Sequence, residues 1–118
     1  MKVLIVDDSF TVRQYFKEIF QGFSWEVEEA VNGLEALEKV LNGEFDLMTV
    51  DVNMPKMDGY TFVYKVREMG VSLPVILIST ESKEHDKLKG LQAGATLYLV
   101  KPVLPEQIIS YAMLLTGS

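Results

Sequence analysis

Asp51 closes the largely apolar run 45–50 and opens the loop Val52-Asn53-Met54-Pro55-Lys56-Met57-Asp58-Gly59. Asp7-Asp8 follows a second run, Val3-Leu4-Ile5-Val6; Ser79-Thr80 follows a third, Val75-Ile76-Leu77-Ile78; and Lys101-Pro102 follows a fourth, Leu97-Tyr98-Leu99-Val100. Short β-rich runs alternating with helical stretches point to a parallel sheet. In such a sheet the polar ends converge on one edge, where open α/β folds bind ligands. Three carboxylates, a hydroxyl and an ammonium then share a rim. That set suits a divalent cation and a phosphoryl group. Mg2+ takes oxygen ligands and is commonly held by one or two carboxylates plus phosphate oxygens. Asp7, Asp8 and Asp51 brought together repel one another, which raises at least one pKa unless a cation is bound. A carboxylate can take a phosphoryl group as an aspartyl phosphate. That transfer asks for positioning and charge stabilisation, and Lys101 can contact an oxygen of the incoming group or pair with Asp51 at rest.

The elements that must position these groups form five strand–helix repeats. Residues 2–6 make a continuous apolar strand, as expected of one covered on both faces. Ser9 caps a helix with Val12, Phe16, Ile19 and Phe20 on one face, and Gly22 is its stop. Residues 25–30 alternate Trp25 and Val27 with Glu26 and Glu28, the pattern of an edge strand guarded by charge. Asn32 and Glu35 read as a capping box, with Leu34, Leu37, Val40 and Leu41 as the stripe behind it. After the central strand at 47–50, a helix covers 60–69 and ends at Gly70. Pro74 introduces the fourth strand, Ser82 caps a helix running to Ala93 and Gly94 closes it. The fifth strand is 97–100, and Pro105 starts a last helix carrying Ile108, Ile109, Ala112 and Leu115.

A chain of 118 residues fits one domain, expected over 1–118, and can bury a core without staples. It has no cysteine, which excludes a disulfide scaffold and leaves a cytoplasmic address unopposed. No apolar run is long enough for membrane insertion. The formal charge of −6 makes direct nucleic-acid binding unfavourable, because phosphate contacts need basic residues.

Asp7-Asp8, Asp51, the loop 54–59, Ser79 and Lys101-Pro102 together resemble the receiver domain of two-component response regulators. The similarity runs from residue 2 to about 111 and keeps the family's order and spacing; the single-domain chemotaxis regulators are similar. The resemblance implies a flavodoxin-like (βα)5 fold with strand order 2-1-3-4-5. It implies Mg2+, or Mn2+ in its place, bound by Asp8, Asp51 and the main-chain carbonyl of Asn53, with Asp7 acting through a coordinated water. Asp51 becomes the phosphoacceptor, assisted by Lys101 and by Ser79 as donor to a phosphoryl oxygen. Thr80 falls where the family has a small residue, Tyr98 at its rotating switch aromatic, and a cis Lys101–Pro102 bond is implied. Asn53 and Glu81 occupy positions that border the route of the attacking water. The implied phosphate source is a sensor histidine kinase or a histidine phosphotransfer domain. The output face is the 84–93 helix, the fifth strand and the last helix, which binds a downstream protein target or forms a phosphorylation-dependent homodimer. The molecule is then no enzyme in the ordinary sense: it catalyses its own phosphorylation and slow dephosphorylation.

Two other classes fit less well. A Mg2+-dependent phosphatase with an aspartate nucleophile needs an acid–base carboxylate two residues further on, where Asn53 stands. A nucleotide- or flavin-binding module needs a phosphate-cradling loop after the first strand, where Asp7-Asp8-Ser9 stands. A receiver segment of a longer regulator, with a separate output domain, is equally compatible with the motifs. His85, Met54 and Met57 are expected to be an exposed helix residue and loop packing.

Overall fold

Val3 and Ile5 face one side of the first strand and Leu4 and Val6 the other, and each side meets its own helical layer. The computed structural model describes residues 1–117; Ser118, the last residue of the expected domain, lies outside the described residues. The elements are β1 (Lys2–Val6), α1 (Phe10–Gln21), β2 (Glu26–Ala30), α2 (Gly33–Asn42), β3 (Leu47–Asp51), α3 (Gly59–Glu68), β4 (Val75–Ser79), α4 (Glu84–Ala93), β5 (Leu97–Val100) and α5 (Pro105–Thr116). The strands form one parallel sheet in the order β2-β1-β3-β4-β5, the doubly wound flavodoxin-like arrangement. Phe16 and Phe20 of α1, with Ile108, Ile109 and Ala112 of α5, cover one face. Ala36, Val40, Phe62, Val63 and Val66, from α2 and α3, pack on the other. No helix among the described residues is long and apolar enough to cross a membrane.

Strand order decides where the site falls. The chain leaves β1 toward β2 on one side and toward β3 on the other, so β1 and β3 flank the crevice at their carboxyl ends. Val6 pairs with Val50, which places Asp7 and Asp51 at the same level one strand apart. The acidic edge strand is as expected: Glu28 pairs with Lys2 at 2.7 Å, and Glu29 with Arg13 at 3.0 Å and Lys17 at 3.3 Å.

Three local expectations need correction. On α2 the face against the sheet is Gly33, Ala36 and Val40, with Leu37 half-buried, while Leu34 and Leu41 are exposed. Small residues win there because Gly33 lies against Met57: a Cβ at Gly33 would stand 2.8 Å from the Met57 sulfur. The Asn32 side chain does cap the Glu35 amide at 2.8 Å, but Glu35 returns its bond to Val31 rather than to Asn32. Ser82 is not the cap of α4; the chain enters that helix at Lys83, without a side-chain cap.

Gly59, at the start of α3, is required by a close approach. A Cβ there would stand 2.6 Å from the Asp51 carbonyl oxygen and 2.8 Å from the Val52 Cα, both backbone atoms that cannot turn aside. Gly59→Ala should therefore destabilise the fold by about 2–3 kcal/mol, even though alanine is the better helix former. Urea unfolding reads this directly, and an unchanged midpoint would mean that the loop yields without strain.

Candidate functional site

Asp51 ends β3 with 6% of its surface exposed, and its carboxylate accepts a hydrogen bond from the Lys101 ammonium at 3.0 Å. Lys101 arrives from the end of β5, held there by its own amide, which donates to the Ser79 carbonyl at 2.8 Å. The Lys101–Pro102 bond that follows is cis. The same ammonium stands 4.0 Å from Asp7, which is 4% exposed at the end of β1. The Ser9 amide donates to the Asp7 side chain at 2.8 Å, and Ser9 itself caps α1 through the Val12 amide at 3.3 Å.

Oxygens of Asp7, Asp8 and Asp51 lie within 4.8 Å of one another, so one ion can reach all three. Asp8 and Asn53 are exposed and line a cleft of about 450 Å³ with Pro55, Asp58 and Lys89. Burial pushes the Asp7 carboxyl up to about 6; Asp51 and Asp8 add to the rise, against the Ser9 amide and Lys101. Burial also raises the Asp51 carboxyl, countered by Lys101. Three carboxylates therefore face one lysine in a half-dry rim, a hard oxygen set short of positive charge. Mg2+ or Mn2+ fits that donor set.

Ser79 is fully buried at the end of β4, and its hydroxyl accepts from the Glu81 amide at 3.0 Å. No hydrogen bond joins it to Asp51 among the described residues. Tyr98 points inward, 9% exposed, and its hydroxyl donates to the Glu81 carbonyl at 2.9 Å. Met54 and Met57 pack into the core as expected, and His85 is exposed, its imidazole 3.3 Å from Asp86.

Three supporting residues escaped the sequence reading. Arg13, nearly buried on α1, donates to the Asp7 carbonyl at 2.8 Å and so braces the acidic turn from beneath. A basic residue within the apolar face that holds Phe16 and Phe20 was the available signal. Asp58 caps α3 through the Thr61 amide at 2.9 Å, and Tyr60 reaches across to α4. The Asp58-to-Thr61 spacing was readable as a cap; the reach of Tyr60 was not.

Fold and rim together define a doubly wound α/β protein with a lysine-paired carboxylate at its topological switch point. The chain belongs to the response regulator receiver domain family, whose match spans residues 3–113. It is similar to the Vibrio cholerae chemotaxis protein CheY4, at 40% identity over 97% of each chain with a TM-score of 0.91. The Francisella response regulator 1452 receiver domain superposes with a TM-score of 0.94 at 29% identity, covering 98% of this chain and 96% of that one. Among curated proteins, the sensor histidine kinase CheAY of Helicobacter pylori is 38% identical over 110 residues, 90% of this chain but 14% of that protein. The chain spans from 9% to 52% of the length of such relatives.

Proposed function

We propose that Asp51 is the phosphoacceptor of a signalling switch. The observation that carries this is the Asp51–Lys101 pair at 3.0 Å inside a cluster of three carboxylates. An Asp51 oxygen attacks phosphorus, an O–P bond forms, and the N–P bond to a donor histidine breaks, releasing an imidazole that takes a proton from solvent. Asp8, Asp51 and the Asn53 carbonyl would hold the metal, with Asp7 beside them as a further carboxylate. When bound, Mg2+ neutralises charge on the phosphoryl oxygens. Lys101 exchanges its bond to Asp51 for one to a phosphoryl oxygen, and the Ser79 hydroxyl, which at rest accepts from the Glu81 amide, donates its proton to another.

The donor is a sensor histidine kinase or a histidine phosphotransfer domain, and the kinase relative carrying a matching segment supports that class. The face of α4, β5 and α5 carries the phosphorylation-dependent partner or homodimer contact. The reading places the protein in the cytoplasm, where such kinases present their phosphohistidine. The receiver unit acts alone or as a segment of a longer regulator; the short span of curated relatives supports the second arrangement, and the CheY4 likeness the first. Incubation with Mg2+ and phosphoramidate should add one acid-stable, base-labile phosphoryl group per chain. No uptake by the folded protein would overturn the assignment.

The lifetime of that group depends on water access. Asn53 is exposed, and Glu81 is exposed at the β4–α4 loop. Asn53→Arg should slow self-dephosphorylation by about tenfold, since a bulky cation beside the phosphoryl group excludes the attacking water and about 1.4 kcal/mol of barrier is a factor of ten. Equal decay of the two phosphorylated proteins would contradict this.

A further inference from the structure

The Glu81 peptide is gripped on both sides, its amide by the Ser79 hydroxyl at 3.0 Å and its carbonyl by the Tyr98 hydroxyl at 2.9 Å. A second tyrosine approaches the same place from another element. Tyr60, the second residue of α3, donates its hydroxyl to the Asp86 carbonyl in the first turn of α4, 3.3 Å away, and its ring packs in the apolar cluster that holds Tyr98. Its ring is held from outside by the Lys89 ammonium, 4.7 Å from the ring centre. Helix α4 can sit this close because Gly90 has no side chain: a Cβ there would stand 2.8 Å from the Tyr98 ring and 3.0 Å from Leu77. A glycine inside a helix is unfavourable by itself, which makes the close seat the reason for it.

Tyr60 also has a direct link to the acceptor. It follows Gly59, whose amide donates to the Val52 carbonyl at 2.9 Å and whose Cα packs on the Asp51 carbonyl. We propose that Tyr60 is a second positioning residue of the switch: its hydroxyl ties the start of α3, next to the acceptor, to α4 and so fixes the helix whose Gly90 seats the Tyr98 ring, by a route that bypasses Ser79. The inference rests on the phosphoacceptor reading. Burial raises the Tyr60 phenol well above its ordinary pKa, so it remains a donor throughout the neutral range.

Tyr60→Phe keeps the ring, its packing and the Lys89 contact, and removes only the hydroxyl. The first measurement is a double-mutant cycle with Tyr98→Phe in urea unfolding. The loss in the folding equilibrium constant caused by Tyr60→Phe should shrink at least threefold when Tyr98 is already Phe. The second is an NMR titration of the whole chain with Mg2+ and beryllofluoride. Amide shifts at Asp8, Asn53 and Lys101 should match the wild type, while those of α4 and of the Tyr98 ring should fall by half or more. A purely structural hydroxyl would lower stability without separating the rim response from the α4 response. Additive losses in the cycle, or a full α4 response in Tyr60→Phe, would overturn the proposal. A wild-type rim that does not respond would instead overturn the phosphoacceptor reading, and the inference with it.

Discussion

Asp51→Asn should abolish phosphoryl uptake while leaving the protein folded. The amide is nearly isosteric with the carboxylate, so the end of β3 and the packing of Gly59 against its carbonyl are untouched. What disappears is the nucleophile, since a neutral amide oxygen does not form a stable bond to phosphorus, and with it the charge that anchors Lys101 at 3.0 Å. The variant also removes a buried charge from a crowded acidic site, so its stability without metal should equal or exceed that of the wild type. Intact-mass measurement after incubation with Mg2+ and phosphoramidate should show one added phosphoryl group on the wild type and none on the variant. Uptake by Asp51→Asn at the wild-type rate and stoichiometry would place the acceptor elsewhere.

Without a divalent ion, the protein should be less stable at pH 7 than at pH 5, and Mg2+ should return the difference. The folded-state pKa of Asp7 is raised to about 6, above its unfolded value of about 3.9. Between those two values the folded chain holds a proton that the unfolded chain has released. Stability from this group is therefore greatest below about pH 4 and is lost as pH rises through 6. A two-unit shift corresponds to at most about 3 kcal/mol. Asp51 shifts in the same direction. Glu28 and Glu29 are lowered and act oppositely, but only in the acid range below the window from pH 5 to 7. Mg2+ binds the ionised carboxylates, and at ten to a hundred times its dissociation constant it adds about 1.4–2.7 kcal/mol. Asp8→Ala should erase that gain, and Asp7→Asn should flatten the pH dependence. Urea titrations at both pH values, with chelator and with Mg2+, separate the two effects. A full Mg2+ gain in Asp8→Ala would rule out the proposed ligand set.

The readable parts of this chain share one property: their environment is written in neighbouring residues. Runs such as Val3–Val6 and Val75–Ile78 are apolar throughout because both faces are covered, so their ends, and hence Asp7, Asp51, Ser79 and Lys101, could be placed on one rim. Ser9 and Pro105 state their positions through local hydrogen bonding and a fixed φ. Of the expected α2 stripe, Val40 and Leu37 do face the sheet, while Leu34 and Leu41 give way to Gly33 and Ala36 on the neighbouring stripe. The choice depended on Met57, a residue from a distant loop. Arg13 and Tyr60 were missed for the same reason, since the partners of their side chains, Glu29 and Asp86, lie 16 and 26 residues along the chain. Lys83 replaced Ser82 as the start of α4 by a shift of one residue, within the ordinary fraying of helix ends.

Asp7, Asp51, Ser79 and Lys101 come from the ends of four different strands, and the last of them lies late in the sequence. Synthesis therefore delivers the acidic pair and Asp51 long before the lysine that pairs with Asp51. A nascent chain stopped before residue 97 holds Asp51 without its counter-charge and without β5, which pairs with β4 as far as Ser79. The complete rim, with Asp7, Asp51, Ser79 and Lys101 in register, is thus a property of the finished sheet and of no smaller piece.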